Sequence, residues 1–146
     1  LELYAFADSS YAGDVNDRRS VSGGAIMFGS AAVSWFSRTK RTVAQSTSEA
    51  EYMAMGECGK ELLFVRNVLF FMQPMYGMPS VYVLEDNKGA IDLVKNPLSS
   101  GRTKHIKVRH HFIRDLVDKK EVAILHVASK FQAADILTKA LERESF

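Results

Sequence analysis

Apolar and polar residues alternate over the first eight positions, LELYAFAD, as expected of a β-strand with one buried face. One face would carry Leu1, Leu3, Ala5 and Ala7, and the other would carry Tyr4, Phe6 and Asp8. Two short strands are predicted next, at about residues 20–28 and 32–37, with Gly29-Ser30 as the turn between them. This part of the chain therefore predicts an antiparallel run of three strands.

The next segment, STSEAEYMAMGECGKELLFVRNVLFFM, predicts a long helix. Ser46 and Glu49 have capping-box spacing, so the helix should begin near residue 47. At helical spacing, Glu51 heads a row that continues through Met55, Cys58, Leu62 and Leu69. The row through Glu49 is more polar, so we predict a solvent-facing, capping role for Glu49. Glu51 would begin the buried face, where an unpaired carboxylate is costly, unless it lies at the exposed end or pairs with an arginine.

The second half of the chain alternates predicted strands and helices. VYVL at 81–84 is a buried-strand run, and a helix at about 88–95 is stopped by Asn96-Pro97. A third helix is predicted at about 104–118, then the strand VAILHV, then a last helix at 131–141. The order β-β-β-α-β-α-α-β-α predicts an α/β protein with one mixed sheet and helices packed on it. The 146 residues fit a single domain, 1–146.

The overall composition is that of a globular protein, with 47% hydrophobic and 25% charged residues. The net charge of +2 is too small to establish a nucleic-acid partner by itself. A single cysteine, Cys58, excludes an internal disulfide framework. The most apolar run is broken by Arg66 and Asn67 and predicts no membrane span. With no export signal and Leu rather than Met at the start, we expect a non-secreted fragment of a longer polypeptide, in the cytoplasm or nucleus.

Three further acids stand at unusual places. Asp8 ends the first strand, Asp86 follows VYVL and Glu85, and Asp135 interrupts the apolar stretch AADIL. Each has another explanation, respectively a turn, a helix cap and simple exposure. Ligands of open α/β sheets nevertheless gather at the carboxyl ends of strands, and a cluster including Glu51 would need cations to neutralise it. Oxygen ligands without His or Cys favour Mg²⁺ or Mn²⁺ over zinc.

Five segments, in order, resemble the ribonuclease H domain of copia-type LTR retrotransposon polyproteins. They are FADSSYAGDVNDRRSVSG, VSWFSRTKRTVAQSTSEAEYMA, EDNKGAI, RTKHIKVRHHFIRD and ADILTKAL, and the resemblance covers nearly all of the chain. It implies the ribonuclease H-like fold, a five-stranded mixed sheet with helices on both faces. It also implies a reverse transcriptase domain upstream in the same polyprotein.

The resemblance implies a catalytic and metal-binding set made of Asp8, Glu51, Asp86 and Asp135. These acids would hold two Mg²⁺ ions, with Mn²⁺ as a substitute, and cleave the RNA strand of an RNA–DNA hybrid during reverse transcription. Asp8 would bridge both ions, and Asp135 would complete the one that activates water. Glu51 and Asp86 would hold the ion at the leaving 3′-oxygen. The expected products carry 5′-phosphate and 3′-hydroxyl ends.

The chain departs from the family pattern at several positions. Ser10, Glu85 and Ala128 stand where many relatives have an acid, a Cys and a Pro respectively. The segment VASKFQAAD before Asp135 lacks the histidine of the mobile loop that cellular and retroviral relatives carry there. His126 is predicted to be a strand side chain rather than a catalytic group. For His105, His110 and His111, packing or surface roles are favoured, although the third helix would place them within reach of substrate.

Substrate contacts are predicted from two basic clusters and one polar group. The clusters are Arg38, Lys40 and Arg41, and Arg102, Lys104, Lys107, Arg109 and Arg114. They would track phosphates, with His105 nearby, unless they simply form solvated surfaces. Backbone groups at Ser9 and Ser10 and the side chain of Asn87 would sense the 2′-hydroxyl. The alternatives are a domesticated, silent fragment acting as an interaction module, and a related nuclease or integrase-like enzyme.

Overall fold

Five strands form one mixed sheet in the order β3-β2-β1-β4-β5. The computed structural model describes residues 2–11, 16–78, 81–96 and 111–140. The strands are β1 Leu3–Ser10, β2 Val21–Phe28, β3 Ala31–Thr39, β4 Val81–Glu85 and β5 Val122–His126. The first three pair antiparallel, whereas β4 joins β1 in parallel and β5 joins β4 in parallel. The predicted mixed α/β sheet is therefore confirmed.

Three helices pack together on one face of this sheet. They are α1 Thr47–Met72, α2 Lys88–Lys95 and α3 Phe112–Asp118. Short 3₁₀ helices span Pro74–Tyr76, Ser129–Phe131 and Ala133–Leu137, and the last of these packs on β1 and β2. A Cβ at Gly23 would meet that 3₁₀ helix, whereas a Cβ at neighbouring Gly24 would meet Cys58 of α1. Because successive strand residues point to opposite faces, the sheet is covered on both sides.

The core follows the two periodicities that the sequence predicts. On β1, Leu3, Ala5 and Ala7 are fully buried, and on α1 the row of Met55, Cys58 and Leu62 is fully buried as well. The start of α1 agrees with the capping-box prediction, since the backbone N–H of Glu49 donates to the Ser46 hydroxyl. No α-helix in the described ranges is long and apolar enough to cross a membrane.

Three expectations from the sequence need correction. Glu49 does cap, because its carboxylate accepts from the backbone N–H of Gln45, but it is only 6% exposed rather than solvent-facing. The last predicted helix, 131–141, is not α-helical over its described residues, 131–140. Side chains of Gln132 and Thr138 bond to β1 and hold the segment in short 3₁₀ turns. The third helix is described only as Phe112–Asp118; the rest of its predicted range lies in 97–110, outside the described residues.

Candidate active site

Asp8 and Asp86 meet at one edge of the sheet because they follow adjacent parallel strands in matching register. The last paired residues of β1 and β4 are Phe6 and Leu84, and each Asp lies two residues further along. An even offset keeps each side chain on the face of its paired residue. The predicted meeting of two strand-end carboxylates is therefore present.

Helix α1 delivers the third carboxylate to the same edge. Glu51 lies in the second turn after the Ser46 cap and is 4% exposed. The backbone N–H of Ser9, the residue after Asp8, hydrogen-bonds to the Glu51 carboxylate. One carboxylate oxygen from each of Asp8, Glu51 and Asp86 lies within 4.8 Å of the others. Of the two early glutamates, Glu51 is the one that joins the strand-end acids.

The electrostatics of this trio fit a cation. Burial, followed by the charges of Glu85, Asp8 and Asp86, raises the pKa of Glu51 to about 10. Burial raises the pKa of Asp8 to about 6, although the hydrogen bond from Thr138 opposes the rise. Within the described part of the chain, Glu51 Oε2 has no hydrogen-bond partner. Three hard oxygen donors and an orphaned buried oxygen suit Mg²⁺ or Mn²⁺, because a divalent ion satisfies both the charge and the coordination.

Glu85, the residue that departs from the family pattern, adds a fourth acid behind the trio. It is fully buried, and its Oε1 accepts from the backbone N–H of Asn87. Burial raises the pKa of Glu85 to about 9, and its charge is the second cause of the raised pKa of Glu51. Glu85 therefore biases the site toward holding a proton when no cation is bound.

Asp135 lies on the Ala133–Leu137 3₁₀ helix, on the face of the sheet opposite α1, and its carboxylate is not part of the converging group of described acids. Gln132 caps this helix, and its Nε2 donates to the carbonyl of Ala7, 2.8 Å away, beside Asp8. The Thr138 hydroxyl donates to Asp8 Oδ2, and Lys139 Nζ lies 2.9 Å from Asp135 Oδ1. The sequence reading did not single out Gln132, Thr138 or Lys139. The segment ADILTKAL contained two of them, but only the fold shows that they reach β1.

Gly23 allows this close approach, because it is paired with Asp8 on the neighbouring strand. A Cβ at Gly23 would lie 2.7 Å from Thr138 Cγ2 and 2.9 Å from Leu137 Cβ. These separations are too short, so the 3₁₀ helix carrying Asp135 would have to move. The position of the 3₁₀ helix that carries Asp135, rather than the geometry of strand β2, therefore requires glycine here.

Gly23→Ala is expected to lower the maximal rate of the reaction proposed below by roughly 10- to 100-fold, since small misplacements of catalytic groups are costly. The measurement is the rate at saturating metal, alongside the melting temperature. Gly59→Ala is the matched control, because its added methyl meets Ile113 of α3, away from Asp135. Equal losses in the two variants would contradict this role for Gly23.

The predicted substrate-binding residues divide into described and undescribed ones. Ser9 is buried with its hydroxyl unpaired among the described residues, and Ser10 is half-buried. Asn87 caps α2, and its Oδ1 accepts from Ala90 N–H and from the Ser48 hydroxyl. Most of the second basic cluster and its neighbouring histidine lie outside the described residues: Arg102, Lys104, His105, Lys107 and Arg109.

The first basic cluster lies at the same edge of the sheet as the acids. Val21 of β2 pairs with Ser10 on one side and with Thr39 on the other, which places the end of β3 about 10 Å from Ser10 at ordinary strand spacing. An open depression of about 230 Å³ follows there. It is lined by Arg38, Thr39, Lys40, Arg41, Thr42, Glu57 and Lys60. With four cations and one carboxylate, this basic depression has a net positive charge.

Members of the basic clusters differ in how much of their charge is already paired. Arg38 lies 2.8 Å from Glu61, and the nearly buried Lys40 lies 2.5 Å from Glu57. Arg41 is exposed. Arg114 donates to the carbonyl of Leu93 and so ties α3 to α2. Its contact with a substrate phosphate stays a prediction.

The two described histidines lie as the sequence reading favoured. His111 Nδ1 is 3.0 Å from the hydroxyl of Tyr52, which gives it a packing role beside α3. His126 is the last residue of β5 and is exposed. His105 and His110 belong to the undescribed range.

Solved structures identify the class of fold. The chain is similar to the N-terminal RNase H domain of rv2228c from Mycobacterium tuberculosis, with a TM-score of 0.62, 14% identity, and coverage of 94% of this chain and 91% of that one. It is also similar to RNase H1 from Halobacterium salinarum, with a TM-score of 0.57, 17% identity and 94% coverage of each chain. The fold is therefore that of ribonuclease H.

Curated relatives place the chain more narrowly. It is 39% identical over 145 residues to the retrovirus-related Pol polyprotein from transposon TNT 1-94 of Nicotiana tabacum, covering 99% of this chain and 11% of the relative. It is 36% identical over 146 residues to that from transposon RE2 of Arabidopsis thaliana, covering 100% and 10%. No family model matches the chain. The chain is homologous to a segment of retrovirus-related Pol polyproteins from transposons, and it spans about a tenth of their length.

Proposed function

We propose that this chain is a metal-dependent endonuclease that hydrolyses the RNA strand of RNA–DNA hybrids during reverse transcription. The observation that carries the proposal is the convergence of Asp8, Glu51 and Asp86 within 4.8 Å, on a ribonuclease H fold. Like charges this close in a buried site are tolerated when cations neutralise them. Divalent cations would therefore neutralise these carboxylates and also serve phosphodiester hydrolysis.

The proposed chemistry assigns each acid a position. Bound Mg²⁺, or Mn²⁺ as a substitute, would stabilise the attacking and leaving oxygens of an in-line displacement as a Lewis acid. Asp8 would be the shared ligand, because it belongs to the trio and also contacts Thr138, three residues after Asp135. Glu51 and Asp86 would serve the side of the leaving 3′-oxygen, and Asp135 the side of the attacking water. The products would carry 5′-phosphate and 3′-hydroxyl ends.

An RNA–DNA hybrid is the proposed substrate. One solved structure of the same fold is titled LC11-RNase H1 in complex with RNA/DNA hybrid; it is 14% identical to this chain, with a TM-score of 0.57. The basic depression at the end of β3 would contact phosphates beyond the scissile one. The backbone at Ser9 and Ser10, with Asn87, would sense the 2′-hydroxyl at the edge of the sheet where Asp8 and Asp86 meet. Arg102, Lys104, His105 and Arg109 remain predicted contacts.

Arg41→Ala is expected to weaken hybrid binding about equally for all sequences and to lower the slope of log affinity against log salt by about one. The reason is that Arg41 is an exposed cation of the basic depression and forms no ion pair with another described residue. Fluorescence anisotropy across a salt series measures both effects. Lys119→Ala is the control, because Lys119 ends α3 near the start of β5, at the opposite edge of the sheet. An unchanged slope for Arg41→Ala would remove this residue from the interface.

The setting we propose follows from the relatives, which are Pol polyproteins. The domain would act beside a reverse transcriptase domain in the same polypeptide. Its place would be cytoplasmic, in a retroelement particle, or nuclear.

A substrate panel tests the proposal. RNA–DNA hybrid, double-stranded RNA and double-stranded DNA of one sequence are incubated with Mg²⁺ or Mn²⁺, and product ends are mapped. Cleavage of the hybrid alone, with 5′-phosphate ends, is the expected result. Preferred cleavage of double-stranded DNA would indicate the integrase-like alternative. Tight hybrid binding without cleavage in either metal would indicate a domesticated binding module.

A further inference from the structure

The four acids of the site are not equally ready to bind a cation. Asp8, Glu51 and Asp86 converge, and Asp135 is not a member of that group of described residues. The Asp135 carboxylate is instead held by a cation of the chain, since Lys139 Nζ lies 2.9 Å from Asp135 Oδ1. The trio of Asp8, Glu51 and Asp86 is therefore already in place to bind a cation, whereas Asp135 is paired with the ammonium group of Lys139.

Lys139 lies close to three of the four acids. Its charge interacts with those of Asp135, Asp8 and Asp86, and a lysine ammonium is charged near neutral pH. Half of the side chain is exposed, whereas the Asp135 side chain is 18% exposed. The ammonium can thus leave for solvent without moving the backbone.

The adjacent Thr138 fixes the turn that brings Lys139 and Asp135 together. Its hydroxyl donates to Asp8 Oδ2, and the carbonyl oxygen of Asp135 lies 3.2 Å from the same hydroxyl and can share its single proton. Thr138 fixes the turn, and a spacing of four residues then brings Lys139 back over Asp135. The hydrogen bonds that position Asp135 near Asp8 therefore also position Lys139 there.

We propose that Lys139 is a resident cation that competes with a divalent ion for Asp135. A first ion would bind to the trio of Asp8, Glu51 and Asp86, and a second would bind only by displacing Lys139 from Asp135. The inference rests on the proposed metal-dependent function and adds to it an order of metal loading set by a residue of the chain. Lys139 acts here as a positioning residue rather than as a catalytic one.

The expected size of the effect follows from the geometry. A half-exposed ion pair is a weak competitor, so removing it should tighten the second binding step by roughly two- to fivefold. The first step should stay within about twofold of wild type, because none of the three converging acids pairs with Lys139 directly.

Mn²⁺ binding to the substrate-free protein tests this directly. Electron paramagnetic resonance of unbound Mn²⁺ resolves the two binding steps without any nuclease reaction. The variants are Lys139→Met, which keeps the stem and removes the charge, and Lys139→Arg, which keeps the charge. Lys119→Met controls for the change in net charge, and circular dichroism establishes that each variant is folded; Lys139→Gln serves as a second charge-free variant.

The proposal predicts a tighter second step in Lys139→Met and Lys139→Gln, and wild-type binding in Lys139→Arg and Lys119→Met. A second step unchanged or weakened in both charge-free variants would overturn it, as would an equal gain in Lys119→Met. A single binding step in all proteins would also overturn it. No Mn²⁺ binding at all would instead contradict the proposed metal-dependent function, so the two failures are distinguishable.

Discussion

Asp8→Asn is expected to lower hybrid cleavage by roughly 1,000-fold or more while leaving the fold intact. Asp8 belongs to the converging trio and also connects it to the Asp135 segment through Thr138. Losing several kcal/mol of transition-state charge stabilisation gives this size of effect, at about 1.4 kcal/mol per tenfold. The isosteric amide keeps an oxygen that accepts the Thr138 hydrogen bond. It also removes one like charge, so folding should not suffer.

Single-turnover cleavage at saturating Mg²⁺ measures this effect, and circular dichroism with thermal melting follows the fold. Asp92→Asn is the matched control, since Asp92 is an exposed carboxylate on α2. An Asp8→Asn protein that retained more than about a tenth of wild-type activity would remove Asp8 from the centre of the site. Loss of activity together with loss of the melting transition would contradict the expectation that the fold stays intact.

Glu51→Gln is expected to be inactive and yet more stable than the metal-free wild type at pH 8. In the unfolded chain Glu51 loses its proton near the ordinary pKa of 4.5, whereas burial and neighbouring acids raise its pKa in the folded protein to about 10. Between these values the folded state binds more protons, so this stabilising contribution is full below about pH 4.5 and is lost as the pH rises. Asp8 and Glu85 add to the same trend, with pKa values raised to about 6 and about 9.

Urea unfolding of the metal-free proteins at pH 5 and pH 8 tests this trend. The free energy of unfolding of Glu51→Gln should exceed that of wild type by about 1–3 kcal/mol at pH 8, the usual scale for relieving a buried unsatisfied group, and by less at pH 5. Mg²⁺ should stabilise wild type at pH 8 and the variant much less, because a ligand stabilises only the state that binds it. The control is Asp118→Asn, at the exposed end of α3. Wild-type stability that rose steadily from pH 5 to pH 8 without metal would contradict the account.

The sequence was most informative where a single periodicity governs both local structure and burial. Alternation on β1 placed Leu3, Ala5 and Ala7 on one face, which the structure buries, and helical spacing distinguished Glu51 from Glu49. The same helical reading was wrong about the exposure of Glu49, because the loop at Gln45 folds over it. The periodicity of a single helix or strand does not show which other segments of the chain pack over it.

The structure of the segment that carries Asp135 could not be predicted from sequence periodicity. The residues 131–141 have a helical pattern, but Gln132 and Thr138 bond to β1 and the segment forms 3₁₀ turns. These contacts span more than 120 residues of sequence, as from Gln132 to Ala7. The roles of Gly23, Thr138 and Lys139 arise only when the 3₁₀ helix lies against the sheet. The resemblance supplied Asp135, and the structure supplied what holds it.

The most direct test of the central claim is cleavage of an RNA–DNA hybrid in which each strand carries its own label, with chelator or with Mg²⁺. The account predicts that only the RNA strand is cut, that cutting requires the ion, and that wild-type protein refolded from urea regains it. Cleavage of the DNA strand, or undiminished cleavage of RNA in chelator, would contradict a metal-dependent ribonuclease H centred on Asp8, Glu51 and Asp86.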